Sequence, residues 1–360
     1  TVKLADQAFK DFSWLEAIDL YTYAHERDPQ NAYVVRRLAD CYRNIGRTEE
    51  VEKWLITLIE MNEQTPEDIF NFSMALKANG KYSESEKALK EYASMRPEDG
   101  RINLEQSLLD YVDFLLHDSI RYEVKTLPFN TKGSDWGATV YGNKLVYVST
   151  GDPEENRDIK YNWDNLPFLD IYAVDIDEYG NYSTPDIYAK NLMTSYHEGP
   201  ATFDVKGKRM YFNSNRTTKA TGTKGEENNL QIFYADFENG QWQLKGEFKY
   251  NNKRYNMRHP SLNAAGDVLF FASDMPGGFG GTDLYRVKRT GDGWGPAENL
   301  GAVVNTFGNE MFPYLHQDSV MYFSSDGHAG LGSLDIFKSK KNGDNWSKPE
   351  NLKAPVNSPA

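Results

Sequence analysis

Three aspartates, Asp170, Asp283 and Asp335, open the tripeptides Asp-Ile-Tyr, Asp-Leu-Tyr and Asp-Ile-Phe. Carboxylates are common general bases and hard-cation ligands, so these positions invite a catalytic or metal reading. Their recurrence argues against it. An Asp at the entry of equivalent strands accepts backbone N–H groups and fixes a turn, a role that every repeat needs. The run Pro276-Gly-Gly-Phe-Gly-Gly281 looks like a phosphate loop, yet it lacks the Gly-Lys-Ser/Thr ending and leads into a strand pattern. His25, His117, His197, His259, His316 and His328 have no paired spacing for zinc. No Gly-x-Ser-x-Gly elbow occurs, and the single Cys41 excludes an intrachain disulfide and reads as a buried small side chain. The aromatic series Tyr182, Trp242, Trp294 and Trp346 offers faces for sugar stacking, but its periodicity reads as core. No catalytic residue, metal or cofactor is expected.

The elements that would position these residues change type near residue 120. Before it, a 34-residue period equates Phe12, Gly46 and Gly80 at one helix–helix corner. It also equates Ala5 with Ala39, Ala17 with Val51, and Tyr21 with Leu55 and Leu89. Pro29, Glu63 and Pro97 end successive units; proline stops a helix because it lacks an N–H and clashes with the preceding turn. Ala5, Ala17, Tyr21, Ala24 and Pro29 resemble the signature of the tetratricopeptide repeat, which implies an α-solenoid over residues 1–118 with a peptide-binding groove. Val51, Ser73 and Ser85 stand where that pattern has small residues, usually Ala. The apolar stretch Ile102–Leu116 has helical spacing and is expected to cap the stack or dock it on the next domain.

Beyond residue 119 the repeat is about 50 residues long. A shift of 52 carries Asp283 to Asp335, Trp294 to Trp346, Glu298-Asn299-Leu300 to Glu350-Asn351-Leu352, and Asn305 to Asn357. Each unit reads as an entry segment (Gly199-Pro200, His259-Pro260, Phe312-Pro313), an apolar strand, the Asp-Ile-Tyr strand and a Gly turn into the Trp strand. The apolar strands are Leu145–Ser149, Met210–Ser214, Val268–Ser273 and Val320–Ser325. The turns are Tyr179-Gly180, Asn239-Gly240, Asp292-Gly293 and Asn342-Gly343. Four short strands per unit mark a propeller blade. The fold class is therefore an α-solenoid followed by an all-β, WD-repeat-like propeller over residues 119–360, with at least four blade units. Asn130-Thr131-x-x-x-Asp135 repeats Asn305-Thr306-x-x-x-Glu310, so residues 119–132 are expected to supply an outer strand, and further blades are expected outside this chain.

The chain carries a formal charge of −13. Residues 1–120 hold most of the excess, which disfavours nucleic acid or an anionic membrane as the main partner and is compatible with a basic protein segment. No apolar run is long enough to span a bilayer. The chain starts at Thr1 rather than Met, so a removed leader or lipid anchor is expected.

The motifs Asp335-Ile336-Phe337, Trp346, Pro349-Glu-Asn-Leu352, Val356-Asn357-Ser358 and Tyr322–His328, following tetratricopeptide repeats, resemble the periplasmic OmpA-family proteins of Bacteroidota, a group whose best-known member is PorE. That resemblance implies a non-enzymatic scaffold of a type IX secretion or gliding machine, periplasmic and outer-membrane-associated, possessing a lipid anchor. Its implied partners are PorP/SprF-like membrane proteins or ring components. Peptidoglycan would be gripped through a C-terminal OmpA-like domain outside this chain. Within the solenoid, Tyr42, Arg43 and Asn71 lie on first helices, which line the concave face, and are the expected partner contacts. The alternatives are a carbohydrate-binding or glycan-processing propeller, and a TolB-like envelope factor.

Overall fold

The computed structural model describes residues 1–101, 108–116, 122–151, 160–204, 206–216, 229–291 and 293–359. His117, Asp292 and the expected domain boundary at 118/119 lie outside the described residues.

Three helix pairs come first: α1 (Val2–Lys10) with α2 (Trp14–Arg27), α3 (Ala32–Asn44) with α4 (Thr48–Glu60), and α5 (Pro66–Ala78) with α6 (Tyr82–Met95). Ala5, Ala17 and Tyr21 are fully buried where helices cross, because a methyl side chain lets two backbones approach and a large ring fills the seam beside them. The serines in place of alanine remain satisfied: Ser85 Oγ donates to the Ser73 carbonyl at 2.8 Å, and Ser73 Oγ to that of Phe70 at 2.7 Å. The equated corner is real. Phe12, Gly46 and Gly80 all adopt positive φ, at 57°, 70° and 73°. Phe12 bears the strain glycine avoids, and its ring lies beside Trp14 and Trp163. Helix α7 (Leu108–Leu116) falls within the predicted Ile102–Leu116; residues 102–107 lie outside the described residues.

Among the described residues, eighteen strands then form four sheets in chain order. The first holds β1 (Asp135–Tyr141), β2 (Lys144–Ser149), β3 (Asp170–Asp175) and β4 (Asp186–Ile187). The second holds β5 (Glu198–Phe203), β6 (Arg209–Ser214), β7 (Gln231–Glu238) and β8 (Gln241–Glu247). The third holds β9 (Met257–Leu262), β10 (Val268–Ser273), β11 (Asp283–Thr290), β12 (Gly293–Trp294) and β13 (Glu298–Asn299). The fourth holds β14 (Glu310–His316), β15 (Val320–Ser325), β16 (Asp335–Asn342), β17 (Asn345–Trp346) and β18 (Glu350–Asn351). Neighbouring strands are antiparallel, and the leading strands β1, β5, β9 and β14 together line one central channel. This is a four-blade propeller arrangement.

Sheets pack through the repeated aromatics. Trp242, Trp294 and Trp346 are each buried against the preceding sheet, beside Val146, Tyr211 and Phe270 respectively. The recurrent Trp is thus core, as its periodicity implies. Three seams, first–second, second–third and third–fourth, are closed by such clusters. The fourth seam differs: among the described residues no strand of the last sheet packs on the first as other neighbours do, and Trp136 reaches Phe312 with ring centroids 5.4 Å apart. Val140, whose counterparts Phe203, Leu262 and Leu315 fill the closed seams, is 68% exposed.

The described part of the segment expected to supply an outer strand, residues 122–132, forms none. The first sheet obtains its fourth strand locally, Ile187 pairing with Tyr172, so that edge is already occupied. Phe129 instead rests on Tyr147 and Tyr182.

The helical array bridges the first and fourth sheets. Trp163, between β2 and β3, meets Trp14 at 6.1 Å, and Tyr161 continues the contact to His197. At the other end Tyr82 donates its hydroxyl to the Leu331 carbonyl at 3.0 Å, and Leu115 of α7 is buried against Leu331. The Ala354 N–H donates to the Leu115 carbonyl at 3.0 Å. Helix α7 therefore both contacts α6 and docks the array on the last sheet.

Candidate partner-binding surfaces

The repeated carboxylates are consumed by the fold. Asp283 accepts the Phe279 and Gly280 N–H groups at 2.7 and 3.2 Å and the Asn299 amide at 2.7 Å. The glycine-rich loop is thus wrapped onto its own Asp, and Gly280 passes so close to the Thr306–Phe307 backbone that a Cβ would collide. Asp335 receives the Leu331 N–H in the same way. An Asn in each of the last three sheets is the complementary clamp. Asn305 accepts from the Leu284 N–H at 2.8 Å and donates to its carbonyl at 3.0 Å; Asn357 does the same with Ile336 at 2.8 and 2.9 Å. Asn251 repeats this on Ile232 in the second sheet, a member that the aligned motif did not include.

A second set ties the leading strands of the first, second and fourth sheets to the segments that enter them. Glu310 is fully buried and accepts from Thr306 N, Thr306 Oγ1 and Ser325 Oγ at 2.8, 2.7 and 2.6 Å. Asp135 makes the same contacts with Thr131 and Ser149, and Glu198 with Thr194 and Ser214. Glu198 also holds Arg216 at 3.1 Å. Burial pushes the Glu310 carboxyl up to about 7, against the pull of its hydrogen bonds, and among the described residues no cation offsets it.

His197, His259 and His328 are held in largely desolvated sites. Burial lowers His259 to about 3 and His197 to about 4. His259 lies stacked on Phe312 and accepts its N–H at 3.3 Å; His328 Nε2 is 2.7 Å from the Val304 carbonyl. Burial pushes the Cys41 thiol up to about 12, which leaves it unreactive. Among the described residues no group of three or more His, Cys, Asp or Glu could hold a metal ion.

Two surfaces are presented by several repeats at once. The propeller channel encloses about 440 Å³ between Gly137–Val140, Pro200–Phe203, His259–Ala264 and Phe312–Gln317. No Asp or Glu is among its described lining residues. The other is the row of first helices. Tyr33 of α3 donates to Asp6 of α1 at 2.7 Å, Arg37 lies 4.4 Å over the Phe9 ring, and Arg36 pairs with Asp68 of α5 at 3.0 Å. These contacts join α1, α3 and α5 into one face.

The expected contact residues are spread over that row. Arg43 is over half exposed, 3.4 Å from Asp40. Tyr42 is half-buried against the core of the first two repeats, and Asn71 is half-buried on α5. The structure brings no common pocket around the three. It also redistributes the charge. The first helices carry Lys3, Lys10, Arg36, Arg37, Arg43 and Lys77 against Asp6, Asp40, Glu67 and Asp68. The second helices carry Glu16, Asp19, Glu26, Glu49, Glu50, Glu52, Glu60, Glu84, Glu86 and Glu91 against Arg27, Lys53, Lys87 and Lys90. The acidity that favoured a basic partner is therefore on the other row, not in the groove.

Comparison with known proteins agrees with the helical array. Residues 8–69 match the tetratricopeptide repeat. No curated protein matches the chain. Among solved structures, similarity extends to a prolyl endopeptidase (13% identity, 61% of this chain, 28% of that chain, TM-score 0.33). It extends also to a Mycobacterium tuberculosis puromycin-hydrolysing peptidase (12%, 61%, 39%, 0.33) and a Lactobacillus brevis α-L-arabinofuranosidase (9%, 61%, 71%, 0.35). The chain spans 28% and 39% of the length of the peptidases. Likeness of this size carries no reading of activity.

Proposed function

We propose that this chain is a non-enzymatic scaffold that holds protein partners of a bacterial envelope machine. The observation that carries this is the fixed junction between two repeat modules. Tyr82, Leu115 and Leu331 at one end, and Trp14 and Trp163 at the other, hold the helical array across the first and fourth sheets. Repeat arrays present extended surfaces, and a rigid junction gives two such surfaces one relative geometry. The clamp Asp, Asn and Trp residues are spent on that framework rather than on a reacting centre.

The finer reading rests on the motif resemblance: a periplasmic OmpA-family protein of Bacteroidota serving type IX secretion or gliding. PorP/SprF-like or ring proteins would be its partners, and peptidoglycan would be bound through a domain outside this chain. No helix among the described residues is long and apolar enough to cross a membrane, so outer-membrane association would come from partners or an anchor. The test is in-cell crosslinking in the native envelope with mass-spectrometric identification. Crosslinks from the array or propeller to secretion or gliding components are expected. Recovery of the protein alone, or with glycans only, would overturn the scaffold reading.

A further inference from the structure

The geometry points to an acidic, extended protein segment as the occupant of the first-helix row. This rests on the scaffold reading and adds the partner's chemistry. Along α3, Tyr33, Arg37 and Asp40 recur every three or four residues and share one face, and Tyr33 is 43% exposed at its start.

The row's carboxylates are already engaged by the chain. Asp6 accepts the Tyr21 and Tyr33 hydroxyls at 2.6 and 2.7 Å, and the Asp68 carboxylate accepts the Thr65 N–H at 2.7 Å while holding Arg36. Asp40 is shared by Arg37 at 3.5 Å and Arg43 at 3.4 Å, one negative charge between two positive ones. Lys10 is exposed at the end of α1, near enough to Asp6 to act on its charge. Lys10, Arg37 and Arg43 thus leave a band of positive potential along the groove.

The surroundings sharpen the choice. An anionic segment is repelled by the acidic second helices and attracted only along the first-helix row, so the two rows together select position and partner sign. A basic segment would be drawn to the opposite side of the array. The exposed Tyr33 ring supplies an apolar anchor beside the charges.

The test places a photo-crosslinking residue at position 33 of the full chain, expressed in its native envelope, with crosslinked peptides read by mass spectrometry. Two charge-reversed chains accompany it: Lys10→Glu/Arg43→Glu on the row, and Glu26→Lys/Glu60→Lys on the second helices. Circular dichroism checks that both fold. The expected result is a crosslinked segment of net negative charge whose yield falls about tenfold in the first variant and holds in the second, with yield decreasing as salt rises. A net basic crosslinked segment, or loss in the second variant alone, overturns the inference. No crosslink from position 33, with the in-cell crosslinks of the natural chain confined to the propeller, overturns it while leaving the scaffold reading intact. No protein crosslink from either module overturns the scaffold reading itself.

Discussion

Glu310 gives the fold a pH dependence of unusual sign, and Glu310→Gln isolates it. Burial holds the carboxyl at about 7 in the folded chain, against an ordinary value of 4.5. The folded chain therefore binds a proton more readily than the unfolded one, so this group's stabilisation is fullest at low pH and is lost as pH rises from 4.5 to about 7. Between pH 5 and pH 8 the loss amounts to about 2 to 3 kcal/mol, at about 1.4 kcal/mol for each unit of separation. Glutamine can present its carbonyl to the Thr306 N–H and one amide hydrogen to the Thr306 hydroxyl, whereas Ser325 Oγ, which already accepts the Gly327 and His328 N–H groups, loses its acceptor. The variant costs that one hydrogen bond at every pH and removes the titration, so the pH-dependent part of the difference is the reading. His197 and His259, whose values are lowered, act in the opposite sense by losing stability as pH falls, but they are common to both proteins and cancel in the difference. Urea unfolding followed by Trp fluorescence at pH 5 and pH 8 measures it. Relative to Glu310→Gln, the natural chain should lose about 2 to 3 kcal/mol on going from pH 5 to pH 8. Parallel behaviour of the two proteins would refute the assignment of a buried, uncompensated carboxyl.

Glu198→Gln should behave differently, because it strips a carboxylate from Arg216, whose side chain is 11% exposed; a loss of about 3 kcal/mol in urea unfolding at pH 7 is expected, and no loss would show the pair is hydrated. Asn305→Ala leaves the Leu284 N–H without a partner, while the Leu284 carbonyl and the Asn299 amide oxygen keep the Leu300 and Gly301 N–H groups, and it should cost about 1 to 3 kcal/mol, with Asn251→Ala comparable in the second sheet. Val140→Cys should react quickly with a maleimide in the native protein while Leu315→Cys stays protected, Cys41 being buried and unreactive in both; protection of position 140 would mean the fourth seam is packed like the others.

Periodicity made the element types and most boundaries legible. The four apolar strands begin within one residue of their predicted starts and end where expected, because an alternating, turn-bounded pattern is a local property. The equated corner at Phe12, Gly46 and Gly80 was legible for the same reason, even though a phenylalanine holds a glycine's conformation there. Register was less visible. Glu198, Met257 and Glu310 pair with the equivalent serines Ser214, Ser273 and Ser325, which sets Pro200, not Gly199, level with His259 and Phe312. Counting from the acid rather than from the proline finds Thr194-x-x-x-Glu198 as the missing member of the Thr131/Asp135 and Thr306/Glu310 series.

What periodicity hides is any feature that depends on which repeat is first or last. Tyr322 and Phe270 occupy the same register position, yet Phe270 is buried against a following sheet and Tyr322 is half-exposed for want of one. The same limit applied to charge. A net value over residues 1–120 says nothing of its distribution across helix faces, since second helices contribute to the sum as fully as first ones while facing away from the groove. The residues that break the repeat are therefore the ones to weigh for function. Arg37 and Arg43 are matched only singly, by Lys3 on α1 and by the buried Lys77 on α5, so Tyr33, Arg37 and Arg43 occur together on α3 alone, whereas every Asp, Asn and Trp that recurs by blade is tied to backbone or core. A binding site on a repeat scaffold is written in departures from its consensus, and on this chain the clearest departure among the first helices is α3.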